Sequence, residues 1–163
     1  PKLLFLDEPS TGLDPQARLH VWELVEQFKA QGGTVILTTH YMEEAARLCD
    51  RVAIVDHGRI IAQDTPAALI ASLGASQIVT FTVDGDPGDG VLAESALAAL
   101  PGVRSVTRQQ AAWVLSVDQA GATLPAIIAL LESRGLRMDS LSTHQATLED
   151  VFVHLTGRGL REQ

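Results

Sequence analysis

With 163 residues the chain has room for one large domain or two small ones, and length enough to bury a real core. Its net charge of −8 argues against a nucleic-acid-binding surface, which is normally basic, and the acidity is spread evenly: residues 1–75 carry 6 basic against 10 acidic side chains, and residues 76–163 the same. One cysteine, Cys49, leaves no internal disulfide and suits a reducing cytosol, the five histidines lack paired-ligand spacing, and no apolar run reaches the ~18 residues that would read as a membrane span.

Leu3 to Leu6 is a short apolar run that reads as a fully buried parallel strand. Asp7 and Glu8 stand where it ends, and Pro9 stops the ladder because it has no N–H to donate. Open α/β sheets bind ligands beyond the carboxyl ends of their strands, so the two acids sit where chemistry is expected; the plain alternative is an acidic surface turn. Asp14-Pro15 starts a helix, with Asp at the N-cap and Pro at the first helical position. Leu19, Trp22, Val25 and Phe28 give that helix its apolar stripe, and Gly32-Gly33 ends it. Thr34 to Thr39 reads as a second buried strand and runs into His40. Strand, helix and strand make a right-handed parallel unit, and if the strands are neighbours, Asp7, Glu8 and His40 meet along one edge of the sheet.

Tyr41 to Asp50 reads as a short helix with Met42, Ala45, Ala46 and Cys49 inward, and with Glu43-Glu44 early and Arg47 late, as the helix dipole favours. Arg51 to Ala62 is a hairpin turning at Asp56-His57-Gly58, where His57 is read as a turn residue. Thr65-Pro66 caps a helix that runs to Leu73 and stops at Gly74. The composition shifts at Gly74-Ala75-Ser76, which separates a domain of residues 1–75 from an accessory α+β domain of residues 76–163. There the expected order is strand 77–83, loop 84–90, helix 91–99, strands 103–108 and 112–118, a helix capped by Thr123 with Pro125 in its first turn, and strand 136–142. This is the βαββαβ, ferredoxin-like split pattern, with two helices to cover one sheet face. None of its residue clusters looks catalytic, and the plain reading is a packing or dimerisation module. Thr147 to Gly157 is a capped amphipathic helix with Leu148, Val151, Phe152 and Leu155 on its stripe and His154 off it.

Three stretches, Leu-Leu-Phe-Leu-Asp7-Glu8-Pro9, Ser10-Thr-Gly-Leu-Asp14-Pro15 and Val-Ile-Leu-Thr-Thr-His40, resemble in order and spacing the Walker B strand, D-loop and switch-histidine strand of an ATP-binding cassette (ABC) ATPase. The resemblance covers residues 1 to 74. It implies an α/β fold: the second half of a P-loop (RecA-like) ABC core, followed by the small C-terminal α+β domain. The closing Leu-Glu-Asp-Val-Phe…Leu-Thr-Gly element is similar, more loosely, to ABC subunits of bacterial drug and antibiotic exporters of the daunorubicin-resistance type. That family places a phosphate-binding loop, a Gln loop and an LSGGQ-type motif before Walker B, and these residues contain none of them. The expectation is a C-terminal piece of a longer protein. The phosphate-loop strand of such a core lies between the switch-histidine strand and the next one, so residues 34–39 and 52–55 are expected to face an empty slot.

The resemblance implies a role for each site residue. Asp7 would hold Mg²⁺, Glu8 would polarise the attacking water as general base, and His40 would bond the γ-phosphate of ATP and keep water and Glu8 in line. Ser10 and Asp14 belong to a loop that in the family reaches a second nucleotide-binding domain, and Asp14 is also the helix cap. The implied partners are a second ABC ATPase subunit, as a homodimer, and a transmembrane permease, with no nucleic acid and no membrane span of its own. The implied place is cytoplasmic, at the inner face of the cell membrane. Two classes stay open: an exporter ATPase, or a soluble non-transport ABC protein that acts through its C-terminal module.

Overall fold

The computed structural model describes residues 2–84 and 92–157 and divides into two compact units, Pro1–Pro66 and Ala67–Gln163. The division falls upstream of the compositional shift at 74–76, and the helix that begins at Pro66 goes almost wholly with the second unit. The loop expected over 84–90, save Asp84, and residue 91 lie outside the described residues.

In the first unit, strand β1 (Leu3–Asp7) is followed by helix α1 (Pro15–Ala30) and strand β2 (Thr34–Thr38). The two strands pair in parallel, with Leu3 opposite Thr34 and Asp7 opposite Thr38, as the strand–helix–strand reading required. Asp14 caps α1, its Oδ1 accepting from the amides of Gln16 and Ala17 at 2.9 Å each. The helix ends as the Gly32 amide donates to the Lys29 carbonyl and the Gly33 amide to that of Phe28. At Gly33 a Cβ would lie 2.2 Å from the Phe28 ring, so any side chain there would force that ring to move.

Two expectations fail here for one physical reason. The strands are not buried on both faces, and the α1 stripe is narrower than its spacing suggests. Leu6, Val35 and Leu37 pack on a small cluster of Trp22, Val25 and Leu48, but the opposite face is open, with Phe5 67 % exposed and Leu3 and Ile36 also exposed. Leu19 is exposed as well. An apolar run tells a strand what it can tolerate, not what will cover it.

Helix α2 (Met42–Leu48) follows, then strands β3 (Val52–Asp56) and β4 (Arg59–Asp64), an antiparallel hairpin turning through His57 and Gly58, both at positive φ. Among the described residues β2 and β3 share no ladder, and the β1–β2 and β3–β4 pairs remain separate two-stranded sheets. The inner face of α2 differs from the sequence reading: Ala46 is exposed, while Glu44, Ala45 and Leu48 are buried. Glu44 turns inward because Trp22 Nε1 on α1 donates to its Oε1 at 2.8 Å, which a dipole argument cannot foresee.

In the second unit, helix α3 (Pro66–Ala71) leads through Gly74 into strand β5 (Gln77–Asp84), helix α4 (Glu94–Ala98), strands β6 (Val103–Gln109) and β7 (Ala112–Val117), helix α5 (Ala120–Ser133), strand β8 (Arg137–Gln145) and helix α6 (Leu148–Thr156). The βαββαβ order holds. The strands lie in the order β6-β7-β5-β8 with every neighbour antiparallel, so the last-made hairpin strand sits between the two that flank the first helix. Val79, Phe81 and Val83 of β5 and Trp113, Leu115 and Val117 of β7 share one face and form a core with Leu97, Ile127 and Leu131 from α4 and α5.

The start of α5 departs from expectation. Thr123 is not its cap but lies buried inside the first turn, donating to the carbonyls of Pro101 and Gln119. The free amide of Ala120 is instead met by the Gln77 side chain at 2.6 Å. Helix α6 is capped as its sequence requires: Thr147 Oγ1 accepts from the Asp150 amide, and Asp150 accepts from the Thr147 amide. Leu148, Val151 and Phe152 are buried, whereas Leu155 is exposed. A cleft of about 240 Å³ is lined by Thr80, Val114 and His144 from the sheet and by Thr147, Asp150 and Val153. Thr80 and Val114 are out of phase with the core residues, so α6 stands over the sheet face opposite α4 and α5.

Candidate functional site

Parallel pairing in register brings Asp7 and Thr38 side by side at the carboxyl ends of β1 and β2, and the Thr38 hydroxyl donates to Asp7 Oδ1. One step on, the ladder makes its last bond, from the Glu8 amide to the Thr38 carbonyl at 3.0 Å. Glu8 then leaves the strand with φ 48°, in the left-handed region. For a residue with a Cβ this costs about 1–2 kcal/mol, and such strain persists where surrounding contacts hold it. His57 and Gln110 also have positive φ, but both sit in hairpin turns, where that geometry is ordinary. Glu8 stands instead at a strand end, where it opens the turn over residues 8–11 that its carbonyl closes by accepting from the Thr11 amide at 3.1 Å.

The contacts that hold it are local. His40 Nδ1 lies 2.7 Å from Glu8 Oε2, and Thr11 Oγ1 donates to the same oxygen at 2.8 Å. With Glu8 ionised, Nδ1 carries the proton and donates. Among the described residues nothing bonds to Oε1, so two donors orient the carboxylate from one side and leave the other oxygen for a further proton. Both side chains are part-exposed, His40 at 49 % and Glu8 at 38 %.

The juxtaposition of Asp7, Glu8 and His40 was legible in the sequence; the two threonines that orient the acids were not assigned roles. Thr38 could have been found, since a strand residue opposite Asp7 in a parallel pair follows from the register alone. Ser10 and Asp14 are not part of the cluster. Ser10 is fully buried with its hydroxyl unpartnered among the described residues, and Asp14 spends its Oδ1 on the helix cap. No group of three or more metal-binding side chains occurs among the described residues. Asp7 still suits a hard cation, because Mg²⁺ takes oxygen donors and keeps most of its waters, so a single oriented carboxylate fits it.

The family profile described as "ATP-binding protein DrrA1-3-like, C-terminal domain" matches residues 66–156, more than half of the chain. The chain belongs to the DrrA-like ATP-binding family. It is 40 % identical over 158 residues to the daunorubicin resistance ATP-binding protein DrrA3 of Streptomyces coeruleorubidus, covering 96 % of this chain and 48 % of that one. It is 37 % identical to the linearmycin resistance ATP-binding protein LnrL of Bacillus subtilis, over 99 % of this chain and 52 % of the relative. It is 38 % identical to a Nod factor export ATP-binding protein I of a Rhizobium species, over 99 % of this chain and 49 % of the relative. The DrrA-like chain thus spans about half the length of the curated relatives it matches. No helix among the described residues is long and apolar enough to cross a membrane.

Proposed function

We propose that this DrrA-like chain carries the hydrolytic sheet edge and the C-terminal module of an ATP-hydrolysing ABC exporter subunit, its core the second half of a P-loop ATPase. The observation that carries the reading is the Glu8–His40 contact of 2.7 Å, made by a glutamate in strained backbone at the carboxyl end of a parallel strand. Phosphoryl transfer to water needs little covalent help from protein: it needs a positioned water and a place for its proton. Glu8 takes that proton on Oε1 while His40 and Thr11 hold Oε2, so the carboxylate cannot swing away as the water approaches. Asp7, steadied by Thr38, would hold Mg²⁺, which when bound neutralises phosphate charge. In the imidazolium form both ring nitrogens donate, so His40 can bond Glu8 through Nδ1 and the terminal phosphate of ATP through Nε2.

Ser10 and Asp14 belong to the face that meets a second nucleotide-binding subunit, most simply another copy. A permease in the membrane is the remaining partner, which places the subunit in the cytoplasm at the inner face of the cell membrane. Similarity to resistance and export ATP-binding proteins supports export over a non-transport role. The compounds these relatives are named for differ from one another, so the family does not select this subunit's cargo. Glu8→Gln in the full-length subunit should keep ATP binding and lower turnover by about 10²- to 10⁴-fold, measured as phosphate release. Near-normal turnover would overturn the assignment.

A further inference from the structure

His40 is half exposed, and its hydrogen bond to Glu8 alone would leave the imidazole free to tilt about that bond. Its other neighbour is the Tyr41 ring, with centroids 4.1 Å apart and planes inclined by 40°. Tyr41 is itself gripped. Its amide donates to Thr39 Oγ1 at 3.0 Å, and the Arg18 guanidinium stands over its ring, 4.4 Å from the centroid. Arg18 rises from the first turn of α1, where its amide donates to the carbonyl of the cap residue Asp14. A closed circuit results: Glu8, the loop to Asp14, Arg18, Tyr41, His40 and back to Glu8.

We propose that Arg18 and Tyr41 are positioning residues that fix the His40 imidazole against Glu8 and tie its pose to the loop at residues 9–14. The proposal rests on the hydrolytic reading of Glu8 and His40. It is further supported by Arg18 Nε, which is buried with no acceptor among the described residues, so the guanidinium is placed for the ring and not for an ion pair. The competing role is that of a simple staple between helices. Three hydrogen-bonded cross-links also join α1 to α2: Trp22 to Glu44, Glu26 to Arg47, and Lys29 to the Leu48 carbonyl. They pair residues in the same order along both helices, so α1 and α2 run parallel, and of the four links only the Arg18–Tyr41 one touches the histidine.

The test uses the full-length subunit with its permease, reading kcat and KM for ATP together with the His40 ring signals by NMR. Tyr41→Leu should lower kcat about 10-fold and Arg18→Gln about 3- to 10-fold, with KM within about 2-fold, because misaligned groups lose rate rather than ground-state binding. Tyr41→Phe and Arg18→Lys should restore kcat, since each keeps its half of the ring–cation contact. The double variant should be no slower than Tyr41→Leu alone, and the Nδ1–H ring signature should fade in step with kcat. Arg47→Gln, which breaks a staple remote from His40, should leave kcat unchanged. Full activity in Arg18→Gln, or an equal loss in Arg47→Gln, would overturn the positioning role; Arg18→Gln decides alone if Tyr41→Leu does not fold. Normal turnover in Glu8→Gln would instead strike at the hydrolytic reading itself.

Discussion

In residues 67–157 a four-stranded sheet carries helices on both faces, and its core side chains, from Val79 and Phe81 to Ile127 and Leu131, are almost wholly out of water. In residues 2–66 there are two separate two-stranded sheets, the β1–β2 pair packs on a much smaller cluster around Trp22, and Phe5, Ile36, Val55 and Ile60 are more than half exposed. Net charge does not separate the halves, since each is equally acidic, and each alternates strands with helices. The difference lies in closure. The second unit supplies its own cover, whereas the first presents apolar strand faces and unpaired edges, which favour association with further strands.

The largest expected effect follows directly. Residues 67–157 expressed alone should melt cooperatively and sediment as a monomer, while residues 1–66 alone should self-associate, as seen by light scattering. A non-cooperative melt of the second unit, or a soluble monomeric first unit at high concentration, would break the comparison.

The small core of the first unit includes one buried polar contact. Glu44 is fully buried beneath Trp22, and its Oε2 has no partner among the described residues. Removing the acceptor orphans the indole N–H, so Glu44→Ala should cost about 1–3 kcal/mol in denaturant unfolding of the full-length subunit. Glu44→Gln keeps an acceptor and should cost less. A neutral Glu44→Ala would mean that the Trp22 bond adds nothing to the smaller core.

The smallest effect should be the same in both units. Asp118 is held below the usual carboxylate range chiefly by its hydrogen bond from Arg104, and Glu26 likewise by Arg47. Each carboxyl has a lowered folded pKa, so each stabilises the fold at pH values above the unfolded value, near 4, and loses that contribution as pH falls through the lower folded value. Asp118→Asn and Glu26→Gln should each lower Tm by about a degree or two at pH 6, and by progressively less as pH falls through the lowered folded values, because exposed pairs are weak. A large loss in one unit alone would show that its pair is structural in a way the other is not.

Local chemistry explains what could be read in advance. Asp14-Pro15, Asp56-His57-Gly58 and Thr147 with Asp150 are caps and turns whose geometry is set within a few residues, and each formed as its sequence implies. The site was legible for a related reason: Asp7, Glu8 and His40 are placed by strand ends and a parallel register. What escaped was set by partners distant in sequence. Glu44 turned inward toward a tryptophan 22 residues away, and the α5 amide found Gln77 rather than Thr123. Which strand faces are covered depends on whole helices, so the open side of β1 and β2 could not be inferred from Leu3 to Leu6.

On the hydrolytic reading proposed above, the left-handed backbone at Glu8 sets selection for endurance against selection for turnover. Glycine, and to a lesser degree asparagine, adopts that conformation at little cost, whereas glutamate holds it under strain. A library randomised at this one codon and sorted for heat resistance should therefore enrich glycine, with a gain of about 1 kcal/mol, and should lose hydrolysis as it does so. Sorted for hydrolysis, the same library should return to glutamate. A heat sort that also returned glutamate would mean that the bonds from His40 and Thr11 outweigh the strain.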